Sequence, residues 1–148
     1  ISLSEPASQQ DSTAIRKMSL GYLIALQQLK PGLMDKVMND SLNKITIGYD
    51  RDTKTEYARA TTKSQMLDFA ASWNKSNMKF PYKPNNQLTS LDIYNRIATV
   101  RIISDNWIEY LHLIKIDGNW QIINLIWQHK DVDRYPKPKW IWWAKCLN

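Results

Sequence analysis

"WIEYLHLIKIDGNWQIINLIW", residues 107–127, decides the fold of this chain. It is two runs of branched and aromatic residues separated by Asp117-Gly118, the dipeptide that a two-residue hairpin turn takes. Side chains alternate faces along a strand. Strict alternation from this turn pairs Ile116 with Asn119, Leu113 with Ile122, Leu111 with Asn124 and Glu109 with Ile126. One face then carries Glu109, Leu111, Leu113, Trp120, Ile122, Asn124 and Ile126. The other carries Tyr110, His112, Ile114, Ile123, Leu125 and Trp127. Both faces are apolar, and a layer of helices covers only one of them. An uncovered patch of that size is unusual on a monomer, so the second face calls for a partner subunit or the chain's own C-terminal tail.

Working outward, "LTSLDIYN" and "RIATVRIIS" read as two more strands, and Ser104-Asp105-Asn106 joins the second of them to the hairpin. The first half is more helical. "DSTAIRKMSLGYLIALQQL" has Asp11 or Ser12 as its cap and Ile15, Met18, Tyr22, Ile24, Leu26 and Leu29 as a broad apolar stripe. Pro31 ends it. "LMDKVMND" gives a short second helix, and "LNKITIGY" and "EYARATT" give two strands, the first alternating Leu42, Ile45 and Ile47 weakly. In "TTKSQMLDFAASWNK", Thr62 and Gln65 form a capping box, and Met66, Phe69, Ala70 and Trp73 form the buried stripe. Helices followed by an antiparallel meander make an α+β domain, with three N-terminal helices packed on the concave face of a curved, mainly antiparallel sheet. Residues 1–10 read as a flexible segment, 11–130 as the domain, and 131–148 as a Trp- and Lys-rich tail packing on the domain or on a partner.

The 148 residues suit one domain. Seven Trp and seven Tyr against two Phe favour pocket linings and interfaces as much as core. The net charge of +6 is spread over scattered lysines, which does not point to nucleic acid. Cys146 is the only cysteine, which excludes an internal disulfide and a cysteine-based metal site. His112 and His129 have no further ligand at metal-binding spacing, so no metal is expected. Four glycines and no phosphate-cradling loop imply no cofactor. No apolar run reaches the roughly 18 residues of a membrane span. The opening "ISLSEPASQQD", without Met, fits a chain processed on export to the periplasm or beyond; a cytoplasmic location stays open.

The order of elements resembles the nuclear transport factor 2-like superfamily. More narrowly, it is similar to the subfamily described as "putative lumazine-binding". The stretches that carry the likeness are "GYLIALQQLKPGLMDKVMNDSL", "TTKSQMLDFA", "IATVRI" and the hairpin itself, within residues 12–130. The resemblance implies a cone-shaped fold with a pocket at its wide end and a convex sheet face used for dimerisation. It implies that Glu109, Leu111, Trp120 and Asn124 look into the cone, and that Tyr110, His112, Leu125 and Trp127 look outward into a homodimer seam. Asn39 departs from the family pattern, which often has His just before the "D-x-L" that ends the second helix.

Glu109 is the candidate catalytic residue, a carboxylate among Trp and Leu whose burial would suit it to proton transfer. A carboxylate paired with Arg101 or a neighbouring Lys is the structural alternative. Tyr22, Tyr57 and Trp73 are candidates to line the pocket beside Glu109, Leu111, Trp120 and Asn124, stacking on a flat ring. The expectation is a small-molecule-binding protein for an unidentified aromatic or heterocyclic ligand. An isomerase or cyclase using Glu109 as general base, with Tyr22 or Tyr57 as oxyanion partner, is the first alternative. A protein-interaction module using Trp140, Trp142 and Trp143 is the second.

Overall fold

The structure, a computed structural model, describes residues 8–136. The expectations for residues 1–7 and for the Trp-rich stretch 137–148 lie outside the described residues.

Helix α1 runs over Gln9–Gln27, three residues earlier in its capping than the sequence suggests. Ser8 is the cap, its hydroxyl accepting from the Asp11 backbone N–H at 3.1 Å. Asp11, expected as a cap, sits in the first turn and reaches sideways instead. Its Oδ1 accepts from Lys115 Nζ and from Trp120 Nε1, both at 2.9 Å, and ties the start of α1 to the tip of the hairpin. Helix α2 (Pro31–Val37) begins on a proline, whose missing N–H costs nothing at that position. It stops at Val37 rather than continuing through "MND", and Met38 already belongs to strand β1 (Met38–Asp50). Asn39 donates to Gln121 Oε1 at 2.9 Å, a cross-strand structural bond. Strand β2 (Thr55–Thr61) follows, then α3 (Lys63–Ser72), opened by the expected Thr62–Gln65 capping box.

Strands β3 (Gln87–Tyr94), β4 (Ile97–Ile103), β5 (Trp107–Ile116) and β6 (Asn119–His129) form the meander. The described residues make one six-stranded sheet of order β2-β1-β6-β5-β4-β3, antiparallel throughout except for the parallel β1–β6 pair. This is the expected α+β arrangement of three helices and a curved, mostly antiparallel sheet. Its core joins Ile15, Leu23 and Met34 of the helices to Ile102, Leu111 and Ile122 of the sheet. The hairpin turn is built as its sequence predicts: Asp117 and Gly118 both take positive φ, 50° and 79°, where glycine is least strained.

The hairpin departs from strict alternation at one residue. Leu113 pairs with Ile122 as expected, but His112 then pairs with Asn124, leaving Ile123 as an extra residue. Beyond that bulge the parity of β6 is inverted: Leu111 faces Leu125, and Glu109 faces Trp127. The neighbouring β1 shifts register beside it, between Met38 and Asn43. A bulge bends a strand and sharpens its twist, and here it curves the sheet around α1. Four assignments are corrected by it, among them Ile126, which is exposed on the convex side rather than inward. Leu125 is fully buried in the core rather than outward. Trp127 turns inward, while Asn124 lies on the convex side, sharing a 3.0 Å bond with His112 Nδ1 and donating to the Asn43 carbonyl at 3.3 Å.

The Asp11 contact gives a first prediction. Hydrogen bonds from Lys115 and Trp120 hold its carboxyl down at about 2, below its ordinary 3.8. The unfolded chain therefore binds the proton first, and the stabilisation is present above about pH 4 and lost as pH falls through about 2. Asp11→Asn should lower the melting temperature at neutral pH, and the gap from the parent should close as pH falls across that window. A gap that stays constant with pH would show that the carboxylate charge is not what holds the helix start.

Candidate functional site

A cavity of about 430 Å³ opens between α1, α3 and the inner face of β1, β2, β5 and β6. Its inner end is polar. The Tyr22 hydroxyl, from the middle of α1, donates to Glu109 Oε2 from β5, and both residues are almost wholly buried. Glu109 is the acid the sequence singles out, and its partner is a tyrosine rather than Arg101. Arg101 lies elsewhere, its Nε donating to Thr89 Oγ1 at 2.6 Å.

Burial raises the Glu109 carboxyl above the usual carboxylate range, and the positive charge of Lys44 and the Tyr22 hydrogen bond pull the other way. Burial, with the negative charge of Glu109 added, pushes the Tyr22 phenol well above its ordinary value, so Tyr22 keeps its proton. Lys44 reaches in from β1. Its Nζ lies 5.3 Å from the centre of the Tyr22 ring and 5.6 Å from that of Trp127, within cation–π range of both. Burial lowers the Lys44 ammonium, Glu109 opposes that shift, and Arg59 adds to it.

The walls are aromatic. Trp73 at the end of α3, Phe80 in the following loop and Trp107 at the start of β5 meet in a three-way cluster, with ring centres 5.4–5.8 Å apart. Trp127 forms the opposite wall, fixed by its carbonyl accepting from Thr46 Oγ1 at 2.7 Å. Leu23, Leu26 and Met66 fill in between, and Phe69, 42% exposed, lies on the lining rather than in the core stripe assigned to it. At the mouth stand Arg59, Thr61 and Gln65.

Of the residues singled out in the sequence, Tyr22, Trp73 and Glu109 come together on this cavity. Leu111 and Trp120 do face inward but lie deeper, in the closed core, with Trp120 held at the hairpin tip by Asp11. Asn124 is on the other side of the sheet. Tyr57 shares a face with Arg59 and Thr61, but its ring lies across its partner Gly48, where an added Cβ would come within 2.6 Å of it, and 51% of the residue is exposed, outside the cavity lining. Tyr57 therefore neither lines the cavity nor serves as oxyanion partner to Glu109. Tyr110 and His112 lie on the convex side, as expected. Lys44, Arg59, Phe80 and Trp107 are lining residues that the sequence reading missed. Lys44 lies at an inward position of its strand, between the buried Leu42 and Thr46, but the apolar pattern through Ile45 and Ile47 hid it from a reading of the sequence.

Among the described residues no three His, Cys, Asp or Glu side chains group as a metal site, and no helix is long and apolar enough to cross a membrane.

A family model described as "Putative lumazine-binding" matches residues 10–128. No curated protein matches the chain. Among solved structures the fold is similar to a nuclear transport factor 2-like protein of unknown function from Silicibacter pomeroyi, with a TM-score of 0.68 and 10% identity over 84% of this chain and 100% of that one. A second such protein, from Shewanella baltica, gives 0.66 and 16% over 84% and 98%. A domain of unknown function with a cystatin-like fold, from Nostoc punctiforme, gives 0.62 and 14% over 86% and 83%. At these identities the likeness concerns the fold.

Proposed function

Since the chain belongs to the family described as "putative lumazine-binding", we propose that it is a small-molecule-binding protein that holds a flat aromatic or heterocyclic ligand in the cavity above Tyr22 and Glu109. The observation that carries this reading is the cavity itself. Its volume of about 430 Å³ falls within the usual range for small-molecule sites. Trp73, Phe80, Trp107 and Trp127 offer ring faces and edges to a planar guest, and Glu109 with Tyr22 supplies convergent polar atoms at the inner end. The family description names a fused heterocycle, and aromatic walls of this kind suit any flat ring of that size.

A second reading, proton transfer by Glu109 in an isomerase- or cyclase-like reaction, draws on its place in the cavity lining and on a carboxyl raised by burial. The Tyr22 hydroxyl already occupies one of its oxygens, which favours binding over base catalysis.

The convex face supports a homodimer. Ile47, Tyr49, Tyr110 and Ile126 are exposed on it, an apolar area that a second copy would cover. Of the four residues expected in that seam, Tyr110 and His112 remain candidates.

Native mass spectrometry of protein purified from its own host tests the binding reading and the dimer together. The expected result is a dimer carrying a small-molecule adduct, with the adduct lost or much reduced in Trp73→Ala. A chain that carries no adduct and gains none from a panel of bicyclic heterocycles would overturn the binding reading. A monomer would overturn the dimer.

A further inference from the structure

Resting on that reading of the cavity, we propose that its ligand is an aromatic acid: a flat ring carrying a carboxylate, sulfonate or phosphate, with the anionic group held between Lys44 and Arg59.

The two cations enter the lining from adjacent antiparallel strands, Lys44 from β1 and Arg59 from β2. Among the described residues the ion pairs are made by Lys63 with Asp35 and Asp40 and by Lys115 with Asp11. Among the described residues neither Lys44 nor Arg59 has a carboxylate within 4.0 Å, Glu109 included. Lys44 is partly buried between two aromatic rings, where an ammonium without a close counter-ion is costly, and Glu109 offsets that cost only in part. The mutual repulsion of Lys44 and Arg59, which adds to the lowering of the Lys44 ammonium, is relieved by an anion placed between them.

The surroundings favour the same sign. His129 and Arg134 stand at the same end of β6, with Arg134 Nη1 3.1 Å from His129 Nδ1, and burial, then Arg134 and Arg59, disfavour the charged form of His129. Asp131 is the acid acting on that histidine. Among the described residues the one acid in the cavity lining is Glu109, at the inner end and already holding Tyr22. A cationic ligand would thus meet two like charges on entry. A neutral one would leave Lys44 desolvated and unpaired. An aromatic acid places its ring on the Trp73–Phe80–Trp107 cluster and its charge on the two strands, and arginine suits the planar groups of such acids.

The test uses two probes with one ring system, N-phenyl-1-naphthylamine, which is neutral, and 1-anilinonaphthalene-8-sulfonate, which is anionic. Each is titrated by fluorescence into the full folded chain. The sulfonate is expected to bind about tenfold more tightly than the neutral amine, and the advantage should shrink as salt is added. Arg59→Met and Lys44→Met should each weaken the sulfonate about five- to tenfold and leave the amine unchanged. Lys17→Met, an exposed charge on α1, should change neither probe. Arg59 lies at the exposed rim, so its variant reports even if Lys44→Met folds poorly. Equal binding of the two probes, or a sulfonate affinity indifferent to Arg59 and Lys44, overturns the anionic ligand while the cavity reading stands. Failure of both probes overturns the cavity reading and this proposal with it.

Discussion

Replacing Tyr22 with Phe is expected to destabilise the protein by about 1–3 kcal/mol, with the loss growing as pH rises. The phenol donates to a buried carboxylate whose other charged neighbour, Lys44, makes no direct contact with it, and its removal leaves a buried acceptor short of a donor. The pH dependence follows from the direction of the Glu109 shift. Burial raises that carboxyl above 4.5, so the folded state holds its proton longer than the unfolded one. Stability from this residue is therefore highest at acid pH and falls as pH rises through the folded value. At low pH Glu109 is neutral in both parent and variant, and the missing hydrogen bond costs least. Once Glu109 ionises, the parent still has Tyr22 to hold the charge and the variant does not. Denaturant unfolding of both proteins from about pH 4 to about pH 8 would show the difference widening. Glu109→Gln keeps an acceptor for the phenol and removes the charge. It should cost less than Tyr22→Phe at neutral pH, and the double variant should recover part of the Tyr22→Phe loss. A Tyr22→Phe loss that does not vary with pH would mean that the two side chains do not titrate as a pair.

The order of elements was legible because each end of each element carries its own signal. Asp117-Gly118 fixes one turn, Thr62 and Gln65 fix the start of α3, and Pro31 marks the break between α1 and α2. Glu109 was legible as a site residue because a carboxylate at an inward strand position is costly unless it has a partner or a use. The position of Asn124 was not legible. Alternation assigns faces only while the register is unbroken, and nothing in "QIINLIW" marks Ile123 as the residue left over. The bulge lies beside the register shift of the parallel β1 neighbour, a pairing between residues far apart in the chain. The same shift explains the misplacement of Leu125 and Trp127. In β1 the weak alternation was read through Ile45 and Ile47, yet these lie on the outer side of the sheet, and Leu42, Lys44 and Thr46 face the helices. Hydrophobicity alone chose the wrong face there because the inner face is partly a polar cavity, and the outer one is greasy.

Leu111 separates core from cavity. The alternation of the hairpin put it beside Glu109 on the ligand, whereas in the fold it is fully buried with Val100 and Leu125 as its cross-strand neighbours. Leu111→Ala should then cost about 2–5 kcal/mol, the price of a cavity opened in a closed core. The denaturation midpoint should fall with an unchanged slope, which is the mark of lost stability rather than of an altered unfolded state. The aromatic amine probe should still bind the folded variant with parental affinity, because the walls formed by Trp73, Phe80, Trp107 and Trp127 are untouched. Leu111→Met, which nearly conserves volume, should cost less than about 1.5 kcal/mol. The opposite pattern, near-parental stability with altered probe binding, would extend the cavity past Glu109 to the middle of β5. It would also require the Tyr22–Glu109 pair to stand in the side of the binding site rather than at its floor, and both side chains would then be open to solvent whenever the ligand left. Two groups so exposed would lose the burial that raises the Glu109 carboxyl and the Tyr22 phenol. The stability of the Leu111 variant and the pH dependence at Tyr22 are thus two views of one question, whether the inner end of the cone is closed.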